Sequence, residues 1–161
     1  MAQKIELTRG LFAIVDDEDF VWLNSFRWYA HRLSGYDYAE RGGMYNGVNT
    51  KYPMHRFILN AQKGQIVDHK NGNTLDNRRC NLRFATYQQN NQNAKKRKNC
   101  TSIYKGVSWN KACKRWDSFI KHNGKSINLG QFDNEILAAK VYDKRATELR
   151  GEFARLNFGG N

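Results

Sequence analysis

Residues 66–93 read IVDHKNGNTLDNRRCNLRFATYQQNNQN, and their pattern predicts the order of four structural elements. The run Ile66 to His69 predicts one short strand, and the run Asn81 to Ala85 predicts a second. The loop between them is rich in Asn, Gly and Asp, which are residues that favour turns. Thr86 can cap a helix that covers Tyr87 to Asn93. The stretch therefore predicts a unit of strand, loop, strand and helix.

The segment that precedes this unit predicts mainly short strands. Aromatic runs at residues 28–31 and 36–39 flank Ser34-Gly35, a pair that favours a hairpin turn. The run Met54 to Leu59 follows Pro53, the only proline in the chain, and also predicts a strand. His55 on that strand is then either a packed residue or a contact of a phosphate or an active site.

The segment that follows residue 100 predicts three strands and one helix. The strands are predicted at 104–109, 114–121 and 126–130, with Asn123-Gly124 as a hairpin turn. Asp133 is the predicted N-cap of a helix that ends at Gly151. One apolar stripe recurs along this helix at spacings of three to four residues: Leu137, Ala138, Val141, Tyr142, Ala146 and Leu149. Alternation predicts that the opposite face of the sheet carries Arg115, Phe119, Lys121, Ser126 and Asn128. The fold class is therefore α+β.

Charge points to an anionic partner. The 161 residues include 27 Lys+Arg and 15 Asp+Glu, for a net charge of +12. Residues 1–64 carry 8 basic and 7 acidic side chains, a balance of +1, and the remaining residues carry 19 and 8, a balance of +11. The basic run Lys95, Lys96, Arg97 and Lys98 predicts a solvated linker that can lie on phosphates. Nucleic acid is the first partner to expect.

Other classes of protein are disfavoured by composition. No apolar run approaches the roughly 20 residues that span a bilayer, and the first residues lack the apolar region of a secretory signal. The three cysteines, Cys80, Cys100 and Cys113, form no C-x-x-C pair. We therefore expect reduced thiols, rather than a disulfide framework or a zinc site.

Four side chains of the central unit can carry phosphodiester chemistry. Asp68 and Asn90 offer carboxylate and amide oxygens, which are hard ligands suited to Mg²⁺. The imidazole of His69 can take a proton from a water that attacks phosphorus. Asn81 stands at the start of the second predicted strand. An Asp-His pair at a strand end and asparagines in turns are also ordinary turn chemistry, and spacing alone leaves both interpretations open.

The stretch from Met54 to Asn93 resembles HNH endonucleases of the ββα-metal group, in the branch found in phages and mobile introns. The matching residues are Met54-His55-Arg56, Val67-Asp68-His69, Asn71-Gly72-Asn73, Leu75-Asp76-Asn77-Arg78-Arg79, Asn81-Leu82-Arg83, Thr86, Asn90 and Asn93. The resemblance implies that His69 is the general base, that Asp68 and Asn90 are metal ligands, and that Asn81 holds the imidazole through the backbone or a ring nitrogen. Asn at the third motif position matches the H-N-N variant and favours Mg²⁺ or Mn²⁺ over zinc.

The segment Thr101 to Phe158 resembles the Apetala/ethylene-response-factor DNA-binding domain. The matching residues are Tyr104-Lys105-Gly106-Val107, Trp116, Asn123-Gly124-Lys125, Leu129-Gly130, Phe132, Ala138-Ala139, Tyr142-Asp143, Arg150-Gly151 and Leu156-Asn157-Phe158. The resemblance implies DNA contacts from Lys105, Trp109, Arg115, Lys121 and Asn128. Because Ser108 and Asn128 stand where plant members carry Arg or Trp, the base preference of those members does not transfer.

The chain is therefore expected to combine a β-rich region (1–53), an HNH unit (54–94), a basic linker (95–100) and a DNA-binding domain (101–158). The resemblance implies a homing-type endonuclease that nicks or cleaves double-stranded DNA with a divalent metal, Mg²⁺ or Mn²⁺, in the cytoplasm of a bacterial or phage-infected host cell. The sequence leaves the oligomeric state open, with a monomer favoured. Phosphate contacts are expected from Arg78, Arg79 and Arg83 and from the linker. Two alternatives stay open: a DNA-binding regulator with an inactive nuclease unit, and a structural or RNA-binding protein that uses its charge alone.

Overall fold

The computed structural model describes residues 1–45, 47–96 and 100–159. The chain divides into two compact units, Met1–Tyr87 and Gln88–Asn161. Small antiparallel sheets and short helices make up the first unit, and a three-stranded sheet with one long helix forms most of the second. The predicted α+β class is confirmed. The finer division at residues 53, 94 and 100 stays a prediction.

The first unit opens with a hairpin and a helix. Strand β1 (Ala2–Glu6) pairs antiparallel with β2 (Phe12–Asp16), and helix α1 (Asp17–Leu23) follows directly. Three acidic residues lie in the first turn of α1, where the helix dipole favours negative charge. Asp19 among them is buried.

A second sheet carries the predicted hairpin. Strands β3 (Tyr29–Leu33), β4 (Tyr36–Tyr45) and β5 (Val48–Pro53) pair in the order β3-β4-β5. Ser34 and Gly35 form the turn, with φ of 51° and 86°. Two consecutive positive φ angles are those of a type I′ turn, whose twist suits a two-residue hairpin. The predicted turn is confirmed, and β4 runs further than the aromatic pattern indicated.

The predicted strand at 54–59 is wrong, because these residues form helix α2 (Met54–Ile58). Pro53 precedes the helix with extended backbone, a position where its lack of an N–H costs nothing. Met54 and Ile58, four residues apart, are 0% and 5% exposed. Burial of one helical face has overridden the β propensity of the run.

The central unit folds as predicted. Strand β6 (Ile66–His69) pairs antiparallel with β7 (Leu82–Ala85), and helix α3 (Tyr87–Asn93) follows. The core beneath it includes Leu23, Met54 and Val67 together with Leu82. The β6–β7 ladder thus packs on apolar side chains from the earlier elements of the first compact unit, Met1–Tyr87.

The second unit is a sheet covered on one face by a helix. Strands β8 (Val107–Asn110), β9 (Arg115–His122) and β10 (Lys125–Phe132) pair in the order β10-β9-β8, and α4 (Glu135–Arg150) packs on them. Ser118 and Ile120 face α4 and are 0% and 1% exposed, whereas Phe119 and Lys121 are exposed. The predicted inward and outward faces of β9 are confirmed.

Two details of α4 differ from the prediction. The N-cap is Asn134, whose side chain accepts from the Leu137 N–H, while Asp133 forms an ion pair with Arg115. Leu137 is 50% exposed and lies outside the buried stripe. The cap falls one residue later because Asp and Asn are comparable caps and the neighbouring arginine engages the carboxylate. The helix ends as predicted at Gly151, with φ of 51°.

Gly106 leaves no room for a side chain, which gives a test of the second unit. Its φ is +77°, and an added Cβ would lie 1.9 Å from the Tyr142 ring. We expect Gly106→Ala to lower the free energy of unfolding by about 2–4 kcal/mol, from overpacking plus the strain of positive φ. Gly124→Ala is the matched control, because φ is +75° there with open space around the Cβ. Urea unfolding should show a loss of only about 1 kcal/mol for the control; equal losses would contradict the packing explanation.

Candidate active site and DNA-binding surface

The candidate catalytic pair stands at the end of β6. In the β6–β7 register Asp68 faces Arg83 and His69 faces Leu82, so the ladder fixes both backbones. The side chains of Asp68 and His69 are both buried, with residue exposures of 5% each. Two titratable side chains buried at a strand end are expensive to retain without partners, and each has them.

Asp68 is paired with an arginine from the neighbouring strand. The Arg83 guanidinium donates to Asp68 Oδ2 from Nε at 3.0 Å and from a terminal nitrogen at 2.8 Å. The two side chains are 8% and 6% exposed. Arg83 therefore compensates the buried carboxylate of Asp68. The expected contact of Arg83 with a DNA phosphate stays a prediction, and the Arg83 side chain is itself buried.

His69 lies among aromatic rings and a buried amide. Its ring centroid is 5.0 Å from that of His55 and 6.4 Å from that of Tyr38. Its Nε2 atom is 3.3 Å from Asn77 Oδ1. Burial lowers the pKa of His69 below its ordinary value, against the opposing effects of Asn77, Asp68 and Asp76. A lowered pKa favours the neutral ring, the form that accepts a proton.

Asn81 acts on the backbone next to His69. Its side-chain oxygen accepts from the Asn71 N–H at 3.0 Å, and its amide donates to the Asp76 carbonyl at 2.7 Å. Its own carbonyl accepts from the Lys70 N–H at 2.8 Å. Asn81 thus joins both ends of the loop that follows β6. The resemblance implies that Asn81 holds the imidazole through the backbone or through a ring nitrogen. The bonds described for Asn81 are to backbone groups, whereas the side chain that contacts the imidazole nitrogen is that of Asn77.

Asn77 lies in the loop between the two strands, where the sequence pattern predicts residues that favour turns. It is 0% exposed, and its backbone N–H donates to the carbonyl of Ile14 on β2 at 2.7 Å. The sequence signal was present in the Leu75 to Arg79 motif, but nothing there distinguishes a turn-forming asparagine from one that contacts the imidazole. Asn77 is held in position by its backbone hydrogen bond to Ile14 on β2, a strand more than sixty residues earlier in the chain, and no local pattern predicts that bond.

Arg78 and Arg79 are engaged within the protein. Arg78 donates to both carboxylate oxygens of Asp76, at 2.8 and 2.7 Å. Arg79 binds both oxygens of Asp19 at 2.8 Å, and its N–H donates to Asp16. Burial alone would raise the pKa of Asp76, but the bonds from Arg78 and Asn71 hold it below its ordinary value. The side chains of both arginines remain 38% and 44% exposed, so their phosphate contacts stay predictions.

His55 gives the first unit a pH dependence that can be measured. Burial, together with the nearby His69 and Arg56, lowers its pKa to about 3. Because the unfolded chain protonates near pH 6.5 and the folded chain resists protonation, stability falls as pH drops through this window, by about 1.4 kcal/mol per pH unit.

The test is urea unfolding of wild type and His55→Gln with a chelator present, at pH 7 and pH 4.5. The variant lacks this titration, so we expect its stability relative to wild type to improve by about 2–3 kcal/mol at the lower pH. A difference in unfolding free energy that stays constant with pH would contradict the buried, uncharged state of His55.

The donor set suits a hard divalent ion with few protein ligands. In residues 1–45, 47–96 and 100–159 no group of three or more His, Cys, Asp and Glu side chains could hold a metal. Asp68 supplies a carboxylate, and Mg²⁺ binds through one or two carboxylates while keeping several waters. Asn90, the expected second ligand, is half-buried on α3 and belongs to the second unit. The residues present fit Mg²⁺ or Mn²⁺ better than zinc, and the identity of the ion stays a prediction.

The expected DNA contacts of the second unit have different surroundings. Lys121 is exposed on the outer face of β9. Asn128 is exposed too, but its side-chain oxygen accepts from the Gly130 N–H at 2.8 Å across a β-bulge. Arg115 forms a surface ion pair with Asp133 at 2.7 Å. Lys121 is therefore the expected contact that stands most openly on this face.

Lys105 and Trp109 are placed less openly. The Lys105 ammonium donates to the carbonyls of Gln92 at 2.7 Å and Ala94 at 2.5 Å, and burial lowers its pKa to about 8. Trp109 is opposite Trp116 in the β8–β9 register, and the two rings are 5.0 Å apart. Trp116 packs against the core, so Trp109 shares the face that α4 covers. The linker residues Lys95 and Lys96 are exposed and half-buried, and Arg97 and Lys98 lie outside the described residues.

The sequence of the chain is similar to those of known nucleases. The model of the HNH endonuclease family matches residues 53–92, which include Asp68, His69 and Asn81. Over 155 residues the chain is 32% identical to a mimivirus protein described as an uncharacterized HNH endonuclease, with 92% of this chain and 76% of that protein covered. The chain therefore belongs to the HNH endonuclease family, and it is a nuclease, which implies DNA as the substrate.

Among particular proteins, the chain is similar to Protein 3.8 of Escherichia phage T7 and to L560 of Acanthamoeba polyphaga mimivirus. The phage protein is 39% identical over 93 residues, which cover 58% of this chain and 76% of its own length. A third likeness is to the AP2-like ethylene-responsive transcription factor TOE2 of Arabidopsis thaliana, 41% identical over 58 residues, or 36% of this chain and 12% of the plant protein. Both expected resemblances are confirmed.

No helix in the described ranges has the length and apolar character that crossing a membrane requires.

Proposed function

We propose that the protein is a metal-dependent endonuclease that hydrolyses a phosphodiester of double-stranded DNA and is directed to its site by the C-terminal sheet. The observation that carries the proposal is the buried pair Asp68 and His69 at the end of β6, with the imidazole within reach of the buried Asn77 amide. This pair lies inside the segment that matches the HNH family.

His69 acts as the general base. Its neutral imidazole takes a proton from a water while the water oxygen forms a bond to phosphorus, and the bond to the 3′ oxygen breaks. The leaving oxygen then takes up a proton from solvent. Asp68 and Asn90 would hold the divalent ion, which supplies stabilisation of the charge on the phosphate and the leaving oxygen. Asn81 keeps the loop after His69 in place through its bonds to Asn71 and Asp76.

The outer face of the C-terminal sheet is the proposed reader of duplex DNA. A β-sheet can enter the major groove, and this face presents Lys121 and Asn128 away from α4. The similarity to a plant protein described as a transcription factor supports this assignment. A reader linked to a nuclease raises the local concentration of the cutting unit at the sites the reader holds.

A single active site in a monomer cuts one strand, so we propose nicking as the primary reaction. A homing role predicts a defined site in an allele that lacks the gene, and the cytoplasm of a bacterial or phage-infected cell is the proposed location. Mapping of cut positions on genomic fragments with Mg²⁺ tests this directly. One preferred site is expected; sequence-specific binding without cuts would instead favour the inactive-regulator alternative.

The reader predicts a steep salt dependence of DNA binding. If about 6 phosphates are neutralised, log Kd against log salt has a slope of about 5 in magnitude. We expect Lys121→Ala to reduce that magnitude by about 1. Lys144→Ala is the matched control, because Lys144 is an exposed lysine on α4, whose other face covers the sheet. Titration of a labelled duplex at several salt concentrations measures both slopes, and equal effects of the two variants would contradict the assignment of the outer face.

A further inference from the structure

The orientation of the Asn77 side-chain amide is fixed by its surroundings. Its Nδ2 donates to the Leu75 carbonyl at 3.2 Å, and its Oδ1 lies 3.3 Å from Nε2 of His69. A carbonyl can only accept, so a flipped amide would set two acceptors against each other. The amide oxygen therefore faces the imidazole, in a site where Asn77 is fully buried.

This orientation determines which nitrogen of the neutral imidazole carries the proton. Since Asn77 Oδ1 can only accept, His69 Nε2 must donate to it. The lone pair of the neutral ring is then on Nδ1. The partner of one ring nitrogen sets the chemistry of the other, as is general for histidine.

Strand β2 holds Asn77 in position. The Asn77 N–H donates to the Ile14 carbonyl at 2.7 Å, and the Ile14 N–H donates to the Leu75 carbonyl at 2.8 Å. These two bonds form a parallel bridge between Ile14 and Asp76. Arg79 continues the attachment through Asp16 and Asp19. The Leu75 carbonyl thus accepts two hydrogen bonds, one from the Ile14 N–H of β2 and one from the side-chain amide of Asn77.

We infer that Asn77 is a positioning residue that holds His69 in the Nε2–H tautomer with Nδ1 as the proton acceptor, and that the N-terminal hairpin of β1 and β2 supports Asn77 in this role. The catalytic part of this inference rests on the proposed function. The tautomer itself does not, because it is a property of the resting protein. The inference gives the N-terminal segment a task within the active site, beyond contributing to the core.

The direct test is ¹⁵N NMR of the imidazole nitrogens in the full chain at neutral pH without added metal. The His69 signals are assigned by their loss in His69→Gln. We expect a protonated Nε2 and an unprotonated Nδ1 in wild type, and in Asn77→Asp, which keeps an acceptor oxygen. Asn77→Ala should show mixed tautomers. Protonated Nδ1 in wild type, or no change in Asn77→Ala, would overturn the inference.

Kinetics separates positioning from a merely structural role. We expect Asn77→Ala to lower kcat for nicking by about 10–100-fold with KM within about twofold, and Asn77→Asp to recover part of the loss. Asn49→Ala, an exposed asparagine on β5, is the matched control and should match wild type. If Asn77→Ala nicks like wild type, the positioning role is wrong. If wild type does not nick while the NMR result holds, the proposed function fails and the tautomer assignment stands.

Discussion

Replacement of His69 by alanine should reduce the nicking of DNA by about 10²–10⁴-fold, the usual contribution of a general base. The His69 imidazole is the proposed proton acceptor, and burial favours its neutral form by lowering its pKa. Asp68 and Asn81 would remain in the variant, so binding of DNA should change little. The expected signature is therefore a loss of kcat with KM nearly unchanged.

The matched control is His31→Gln. His31 lies on β3 of the same unit, with its Nδ1 atom 3.0 Å from a Glu40 carboxylate oxygen, and it has no place in the proposed reaction. We expect this variant to nick like wild type. Added imidazole should restore part of the rate of His69→Ala because it can occupy the space of the lost ring. Nicking by His69→Ala at the wild-type rate would show that His69 is not the general base.

The largest expected effect on stability comes from Arg83. Its guanidinium binds Asp68 Oδ2 with both side chains almost fully buried. Arg83→Met keeps much of the packing volume and leaves the buried carboxylate without this partner. Breaking a buried ion pair from one side costs about 3–5 kcal/mol. We expect a loss of that size in urea unfolding with a chelator present.

Arg115→Met is the control for Arg83→Met. Arg115 also pairs with an aspartate at 2.7 Å, but the two side chains are 43% and 80% exposed. Exposed pairs contribute little because solvent screens them, so this variant should be nearly as stable as wild type. The double variant Asp68→Asn with Arg83→Met should recover part of the loss, because it also removes the buried carboxylate that Arg83 binds. Similar losses for Arg83→Met and Arg115→Met would contradict the role of burial.

Local patterns in the sequence predicted the elements on which the site is built. The strand, loop, strand and helix of residues 66–93 follow from an apolar run, turn residues and a cap, all of which act over a few positions. The two hairpin turns, Ser34-Gly35 and Asn123-Gly124, were predictable because few residue pairs tolerate two positive φ angles. Asp68 and His69 were predictable at the end of a strand because they close the run Ile66–His69 and are followed by turn residues.

Contacts between distant segments could not be predicted in this way. The run from Met54 has strand propensity, yet it forms α2 because one face is buried under elements from elsewhere in the unit. Asn77 reaches the imidazole through a bridge to β2, which no local pattern indicates. Basic charge alone did not distinguish Lys121, which is exposed, from Lys105 and Arg83, which are engaged inside the protein. The sign of a charge is visible in a sequence, whereas its burial depends on the fold.

The excess charge acquires a more specific meaning in the structure. Most of the +12 net charge follows residue 64, where the site and the C-terminal sheet are encoded. Part of that charge compensates internal carboxylates, as Arg78, Arg79 and Arg83 do with Asp76, Asp19 and Asp68. Lys121, exposed on the outer face of β9, is one basic side chain of this region that an external partner can reach.

The purified protein should cut DNA with a divalent metal at the site that contains Asp68 and His69. This is measured by incubating wild type with supercoiled plasmid and Mg²⁺, followed by gel electrophoresis. We predict conversion to open circles in Mg²⁺, no conversion in EDTA, and restoration when Mg²⁺ is returned in excess. Plasmid that stays supercoiled in Mg²⁺ and in Mn²⁺, or that is nicked equally in EDTA, would show that the protein is not a metal-dependent nuclease.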